Sequence, residues 1–397
     1  MQTFSIKQGK LKEVVHLPPS KSYANRALIL GALASRPLTI TNLPEATDVT
    51  NLMDCLNAIG LRWETIPNGI RFVNAFPECE GREKVSLHVG EGGTTARFLA
   101  AMLLLGQASY ELILGERLKE RPWDEFIDIA LKLGGQCKLQ GNKLSIQGPI
   151  RLPPQLEIDC SRTSQFASAF QLLSMRSPMK VTPLHLQSSK SYWAMTEEMI
   201  DQFSQRDCYQ IPFDWSSASY PLAFGALNQK MFFSGLKPDL FQADSKFFDL
   251  LLKFDCLTLS DEGISVVPLK KNFSVQLYVS DCLDLVPTLG YFLSHIEGTH
   301  VLTGIENLIY KESNRLEEVS KLIRKFKRRV EVNDSCLTIW GANDRSKVPE
   351  ILVLPDDHRL VMTGTLFLLH HGGGDISPAE AVKKSYPTFF ELISSGT

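Results

Sequence analysis

Six times along the 397-residue chain, a short polar segment runs straight into an apolar stretch of helical length. The segments are SKSYANRALILGALA from Ser20, GGTTARFLAAMLLL from Gly92, SRTSQFASAFQLLS from Ser161, DWSSASYPLAFGAL from Asp214, DLVPTLGYFLS from Asp284 and DHRLVMTGTLFLLH from Asp357. Their starts are 72, 69, 53, 70 and 73 residues apart. A fixed period of this kind marks an internal repeat. Helices apolar all round belong inside a fold.

A second pattern follows each apolar run: a strand, an amphipathic helix, then two strands around a turn. In the first unit PLTITNL reads as the strand. DVTNLMDCLNAIG reads as a helix with Val49, Leu52, Leu56 and Ile59 on one face, closed by Gly60. LRWETIPNGIRFV then reads as a hairpin with an Asn68-Gly69 turn. EFIDIALKLGG with QCKLQGNKLSIQG repeats the order in the second unit, and RLEEVSKLIRKF with RRVEVNDSCLTIWG in the fifth. The predicted class is α/β, built from six β-α-β-α-β-β repeats with buried inner helices and amphipathic outer ones. The short third interval leaves room for the outer helix TEEMIDQFSQ and little else, so the third repeat is expected to be truncated.

Six repeats suggest two globes of three. The predicted boundaries are 16–212 for the N-terminal globe (repeats 1–3), and 1–15 with 213–397 for the C-terminal globe (repeats 4–6). The strand signal at Thr3–Ile6 is expected to return to the second globe. Pro18-Pro19 and the segment around Pro212 are the candidate crossings, stiff enough to hinge the globes around a cleft.

Composition narrows the class. A hydrophobic share of 44% and a charged share of 22% are those of an ordinary globular protein, and a net charge of −2 argues against nucleic acid or a membrane surface as partner. The eight cysteines show no metal-ligand spacing, and no apolar run approaches the ~18 residues of a spanning helix. A cytoplasmic protein with free thiols is the expectation.

Chemistry concentrates at the helix starts. Exposed N–H groups and the helix dipole make a helix N-terminus receptive to anions. Lys21, Ser22 and Arg26 add donors at the first start, and Thr163, Ser164 and Gln165 at the third. Ser20, Ser161 and Asp214 also suit plain N-capping. Further basic residues sit in polar islands: GERLKERPW with Arg121, YKESNR with Lys311 and Arg315, DDHR with Arg359, and KKSYP with Lys384. Glu312 and Asp284 are the best-placed carboxylates for proton transfer. By spacing alone, Glu312 is equally a helical ion-pair partner and Asp284 an N-cap.

LPPSKSYANRALIL together with GGTTAR resembles the enolpyruvyl transferase family. The resemblance continues in order through KERP, RTSQF, SSKSY, DWSSASY, DLVP, KESNR, DDHR and KSYP, nearly the whole chain. It implies transfer of the enolpyruvyl group of phosphoenolpyruvate to the 5-hydroxyl of shikimate 3-phosphate, with release of phosphate through a tetrahedral intermediate. That is a step of the shikimate pathway toward chorismate and the aromatic amino acids. It also implies a monomer that uses two small-molecule substrates and no metal or organic cofactor.

The resemblance carries over residue by residue. Lys21, Ser22, Arg26, Thr163, Ser164, Gln165, Ser189, Tyr192, Asp284, Asn307 and Lys311 should bind shikimate 3-phosphate. Lys21, Gly93, Arg121, Gln165, Arg315, Arg359 and Lys384 should bind phosphoenolpyruvate. Asp284 should accept the hydroxyl proton and Glu312 should protonate the methylene carbon, with Lys21 and Lys384 assisting. Four positions depart from the family's pattern: Pro19 for glycine, Glu91 for asparagine, Thr163 for serine, and the shortened third repeat. The alternatives are a family member acting on UDP-N-acetylglucosamine, whose loop cysteine is missing from GERLKERPW, and a non-catalytic or altered-specificity paralogue.

Overall fold

The computed structural model describes residues 2–7, 9–81, 84–333, 335–343 and 351–394. The chain separates into two compact units, Pro19–Pro212 on one side and Met1–Pro18 with Phe213–Thr397 on the other.

In Pro19–Pro212 the three apolar runs form helices Lys21–Leu33, Gly93–Leu103 and Gln165–Leu172, which pack on one another. Every residue from Tyr23 to Leu33 is buried, as a helix without a polar face requires. The outer helices Thr47–Ala58, Asp124–Lys132 and Lys190–Gln205 bury one face only. In Thr47–Ala58 that face includes Val49, Leu52 and Leu56.

The second repeat shows the full unit. Val85–Gly90 and Ser109–Leu114 pair in parallel across the inner helix, and the hairpin Gln136–Gln140 and Lys143–Gln147 extends the sheet antiparallel. The first repeat draws its opening strand from the far end of the same unit, since Cys208–Gln210 pairs in parallel with Thr39–Thr41. Its hairpin turns at Pro67–Asn68, one residue earlier than the Asn68-Gly69 reading. Asn68 takes the positive φ, 62°, and Gly69 already pairs with Ile66. Gly69 is required by close approach instead: a Cβ there would stand 2.1 Å from the Ile40 carbonyl oxygen. The third repeat is truncated as its spacing predicts. Its sheet consists of Gln155–Asp159 and Lys180–Leu184 alone among the described residues.

In the other unit, helices Trp215–Asn228, Val286–Ser294 and His358–His370 pack together at the centre of one hydrophobic core. Val14–Val15 opens the fourth repeat's sheet by pairing in parallel with Met231–Ser234. The fifth repeat forms a four-stranded sheet of Val275–Tyr278, Gly298–Thr303, Cys336–Gly341 and Arg329–Val332. The sixth is abbreviated too, which the spacing does not reveal. Between Pro378 and Pro387 the chain forms the 3-10 turn Ala379–Lys384, because a longer helix cannot continue into proline. Phe4–Lys7 pairs antiparallel with Gly373–Ser377 where a hairpin strand would lie. The N-terminal strand thus returns to the unit that holds the last repeat.

Candidate active site

In Pro19–Pro212 the starts of the three inner helices share one polar network. Lys21 Nζ lies 2.8 Å from an Asp48 carboxylate oxygen, and Thr95 Oγ1 donates to the Asp48 carbonyl at 2.8 Å. Asp48, from the first outer helix, therefore fixes both a lysine of the first start and a threonine of the second. Arg26 points across to the third repeat. It donates to Thr196 Oγ1 at 2.8 Å and to the Tyr192 carbonyl at 3.0 Å, besides the Ser22 carbonyl at 3.0 Å. Its guanidinium lies 5.0 Å from the Phe98 ring centroid and 5.9 Å from that of Tyr192. Burial lowers its pKa to about 10, and it stays charged at neutral pH.

Arg97 performs the same joining task between the second and third starts. It donates to Gln165 Oε1 at 2.6 Å, Thr163 Oγ1 at 3.2 Å and the Pro122 carbonyl at 3.0 Å, and lies over the rings of Phe166 and Trp123. Burial, then the neighbouring charge of Arg121, pushes its pKa well down. Gln165 completes the chain by donating to Thr94 Oγ1 at 3.3 Å. Arg121 lies directly over Gly93, where a Cβ would come within 2.4 Å of Nη1. Ser189 precedes helix Lys190–Gln205 in a left-handed conformation, φ 61°, three residues ahead of Tyr192.

Glu91 turns away from this network. Its carboxylate accepts the backbone N–H groups of Leu118, at 3.0 Å, and Arg117, at 3.4 Å. A carboxylate on the first N–H groups of a 3-10 turn is well placed for that turn's dipole. Glu91 thus shapes the loop that carries Arg121. The helix starts hold two further adjustments. Helix Gln165–Leu172 is preceded by Ser164 rather than Ser161, whose hydroxyl binds Asp159 at 3.1 Å. Ser20 precedes Lys21–Leu33 without a side-chain cap, and its Oγ is buried with no partner among the described residues. Asp214 caps as predicted, accepting from the Ser217 N–H at 2.6 Å.

In the other unit the centre is Asp284. It precedes helix Val286–Ser294 and caps nothing; instead Arg315 Nη1 at 2.7 Å, Arg359 Nη2 at 3.0 Å and Lys311 Nζ at 3.3 Å surround its carboxylate. Burial alone would raise its pKa, but Arg359, Lys311 and Arg315 hold it well below the usual carboxylate range. Arg315 also grips Asp357 through Nε at 2.8 Å and Nη2 at 3.2 Å, the two-pronged geometry peculiar to arginine. Asp357 accepts from Ser313 Oγ and from the Arg359 N–H, so it caps the sixth inner helix while orienting Arg315.

Glu312 lies before helix Arg315–Lys325, outside the helix proper. Its nearer partner is His358 Nδ1 at 2.9 Å, with Arg315 Nη2 at 3.8 Å. Lys384 pairs with Asp356 at 2.9 Å. Burial would lower its pKa, but Glu312 and Asp356 outweigh that and raise it. Asn307 lies in the turn Glu306–Tyr310. Another buried carboxylate, Asp244, accepts from Ser216 Oγ and, among the described residues, leaves Oδ1 without a hydrogen-bond partner. Burial and the charge of Asp284 raise its pKa to about 6, against the pull of Arg359.

Each unit therefore gathers its own share of the candidate residues: Lys21, Ser22, Arg26, Gly93, Arg121, Thr163, Ser164, Gln165, Ser189 and Tyr192 in one, Asp284, Asn307, Lys311, Glu312, Arg315, Arg359 and Lys384 in the other. Asp48, Asp244 and Asp357 are not legible as site residues in the sequence. Arg97 in GGTTAR and His358 in DDHR are legible as basic residues beside helix starts. Only the fold shows that they orient Gln165, Thr163 and Glu312.

The profile of the EPSP synthase (3-phosphoshikimate 1-carboxyvinyltransferase) family matches residues 6–393. The 3-phosphoshikimate 1-carboxyvinyltransferase of Pyrococcus abyssi is 30% identical over 402 residues, covering 96% of this chain and 93% of that one. That of Methanoculleus marisnigri is 29% identical and covers 97% of each. Among solved structures, EPSP synthase from Acinetobacter baumannii superposes with a TM-score of 0.77 at 21% identity, covering 99% of this chain and 97% of that one. The enolpyruvyl transferase NikO from Streptomyces tendae gives 0.75 at 14% identity, covering 98% and 96%. These two share the six-repeat fold. With its helix starts, its gripped carboxylates and a profile match across nearly its full length, the chain belongs to the EPSP synthase (3-phosphoshikimate 1-carboxyvinyltransferase) family.

Proposed function

We propose that the chain transfers the enolpyruvyl group of phosphoenolpyruvate to the 5-hydroxyl of shikimate 3-phosphate by addition and elimination, and that residues of both units take part. In the first unit Lys21, Ser22, Arg26, Thr163, Ser164, Gln165, Ser189 and Tyr192 bind shikimate 3-phosphate, with Lys21 and Gln165 reaching phosphoenolpyruvate as well. Gly93 lets phosphoenolpyruvate approach the backbone beside Arg121. In the second unit Asn307 and Lys311 hold the shikimate ring, and Arg315, Arg359 and Lys384 hold phosphoenolpyruvate.

The observation that carries this reading is the triple cation grip on Asp284. Held so far below neutral pH, Asp284 is a poor proton acceptor. The carboxylate and phosphate of phosphoenolpyruvate compete for Arg315 and Arg359. As these turn to the substrate, Asp284 loses counter-charge and its basicity rises, just as the 5-hydroxyl proton must be taken. Glu312, oriented by His358, delivers a proton to the methylene carbon. The oxygen of the 5-hydroxyl then bonds to the substituted carbon. Elimination returns a methyl proton to Glu312 and breaks the carbon–phosphate oxygen bond, the phosphate leaving with the proton held on Asp284, with Lys21 and Lys384 balancing the charge that develops.

The same reading makes the protein a cytoplasmic monomer that needs no metal or organic cofactor. Its free, mostly buried thiols suit a reducing compartment. Among the described residues no helix is long and apolar enough to cross a membrane. Phosphate release from phosphoenolpyruvate tests the assignment, with shikimate 3-phosphate or UDP-N-acetylglucosamine as acceptor. Turnover with the first alone is expected. Turnover with the sugar nucleotide alone, or with neither acceptor, overturns the reading. Glu312→Gln is expected to lose at least ~10²-fold in kcat, and unchanged turnover would remove Glu312 from proton transfer.

A further inference from the structure

The ends of the inner helices opposite the candidate site hold chemistry that the transfer reaction does not use. His295 directly follows helix Val286–Ser294, and His371 directly follows helix His358–His370. Their Nε2 atoms face each other at 2.9 Å. His295 Nδ1 lies 2.7 Å from the Tyr291 carbonyl, an acceptor only, so Nδ1 carries the proton and Nε2 presents its lone pair to His371. A ring nitrogen anchored to a carbonyl on the far side from the lone pair is the usual arrangement of a metal-binding histidine.

Two further observations point the same way. The two rings close the C-terminal ends of two parallel inner helices, where aligned peptide dipoles favour positive charge. The ring of His370 lies 4.1 Å from that of His295, without bringing a third ligand nitrogen within 4.8 Å of both others. A cavity of about 280 Å³ opens beside His295 and His370, lined also by Lys270, Lys271, Asn272 and Asn343 among others, with room for water. The helix end Ala226–Leu227 borders it as well.

We propose that His295 and His371 form a binding site for a borderline-soft divalent metal ion, such as Zn2+, Ni2+ or Cu2+, that ties the ends of the fifth and sixth inner helices. Without metal, a hydrogen bond from His371 Nε2 satisfies His295. On binding, that proton moves to the other nitrogen of the His371 ring, and both Nε2 lone pairs turn to the ion. Metal–nitrogen bonds of ~2.0–2.1 Å at a tetrahedral angle set the two nitrogens ~3.4 Å apart, so the rings need to part by only about half an ångström. The site is distinct from Glu312, Asp357 and His358, whose ligand atoms also lie within 4.8 Å of one another. There Arg315 already supplies the positive charge.

The test uses the full chain, stripped with chelator and titrated with Cu2+. One equivalent coordinated by at least two imidazole nitrogens is expected in pulsed electron paramagnetic resonance. The signal should persist in His358→Gln and vanish in His371→Gln, and Zn2+ should raise the melting temperature of the wild type by a few degrees. A signal retained in folded His371→Gln, or one lost in His358→Gln, overturns the proposal. Should His371→Gln fail to fold, Zn2+-soaked crystals of the wild type decide: an anomalous peak between the two Nε2 atoms supports the site, and its absence refutes it.

Discussion

The second and third repeats stand side by side in one unit and solve the same problem with unequal material. Both present an inner-helix start with candidate substrate contacts, Gly93 in one, Thr163, Ser164 and Gln165 in the other. The second backs its parallel strand pair with a hairpin, Gln136–Gln140 and Lys143–Gln147. The third has no hairpin, so strand Lys180–Leu184 has an open side. An open side is an invitation to another strand unless its N–H groups are occupied. Toward Gln155–Asp159, Lys180 donates to the Pro154 carbonyl and Leu184 accepts from Cys160. On the alternate positions, Val181 donates to Gln171 Oε1 at 2.9 Å, and Pro183 has no N–H to offer. Two residues replace ten. The hairpin is scaffold that a repeat can shed once its edge is closed, whereas the parallel strand pair and two helices must stay because they set the helix start.

If that division is right, substitutions at the helix starts should damage turnover, and those at the closed edge should damage stability alone. The largest effect is expected from Arg97→Met, which cuts the link between the two repeats. Gln165 and Thr163 lose their anchor, and kcat/KM should fall by ~10²-fold, since small misplacements of positioning groups cost that much. The melting temperature should move little, because removing a charge that burial penalises offsets the lost hydrogen bonds. Gly93→Ala comes next. Its methyl must displace the Arg121 guanidinium, and KM for phosphoenolpyruvate should rise by about tenfold with stability unchanged.

Gln171→Ala reverses the pattern. It strands the Val181 N–H, and chemical denaturation should show a loss of ~1–2 kcal/mol with activity per folded molecule intact. Pro183→Val restores an N–H to the open edge and should promote concentration-dependent association, read by light scattering, with the smallest change in unfolding free energy. Equal loss of activity in all four variants would break the comparison.

A pH control comes from the other unit. The Asp244 carboxyl titrates at about 6 in the folded chain, above its unfolded value near 3.8. The stability gained from its proton is fully present below ~3.8 and is lost as pH rises through about 6. Asp244→Asn, which can still accept from Ser216, should therefore gain stability relative to the wild type between pH 5 and 7, by roughly 1–3 kcal/mol. An unchanged pH profile would mean that Asp244 is not strained.

The period of the apolar runs, the truncation and the clustering of basic islands at helix starts were all readable in the sequence. Each depends on local order along the chain. What escaped is what depends on pairs far apart. Glu91 departs from the family's asparagine, and its carboxylate is spent on the Arg117 and Leu118 amides, a contact 26 and 27 residues away. Asp284 looked like a cap or a base; three cations from two other segments decide its charge. Asp48 reads as an ordinary helix residue, and GGTTAR shows Arg97 as a basic residue at a helix start but not its partners, because nothing local marks a side chain that reaches into a neighbouring repeat. The sixth repeat's short form was hidden because the N-terminal strand fills its place.

The paired crossings near Pro18 and Pro212 also order events in time. Within one unit Asp214 N–H donates to the Pro18 carbonyl, and within the other Ser20 N–H donates to the Pro212 carbonyl. A ribosome releases residues 19–212 as a continuous stretch, so that unit can complete its core while synthesis continues. Val14–Val15 must wait for Met231–Ser234, and Phe4–Lys7 for Gly373–Ser377. These early strands are among the last to find their partners. Until then two short strands travel unpaired, and a chaperone bound there would hold back one half of the enzyme without touching the other.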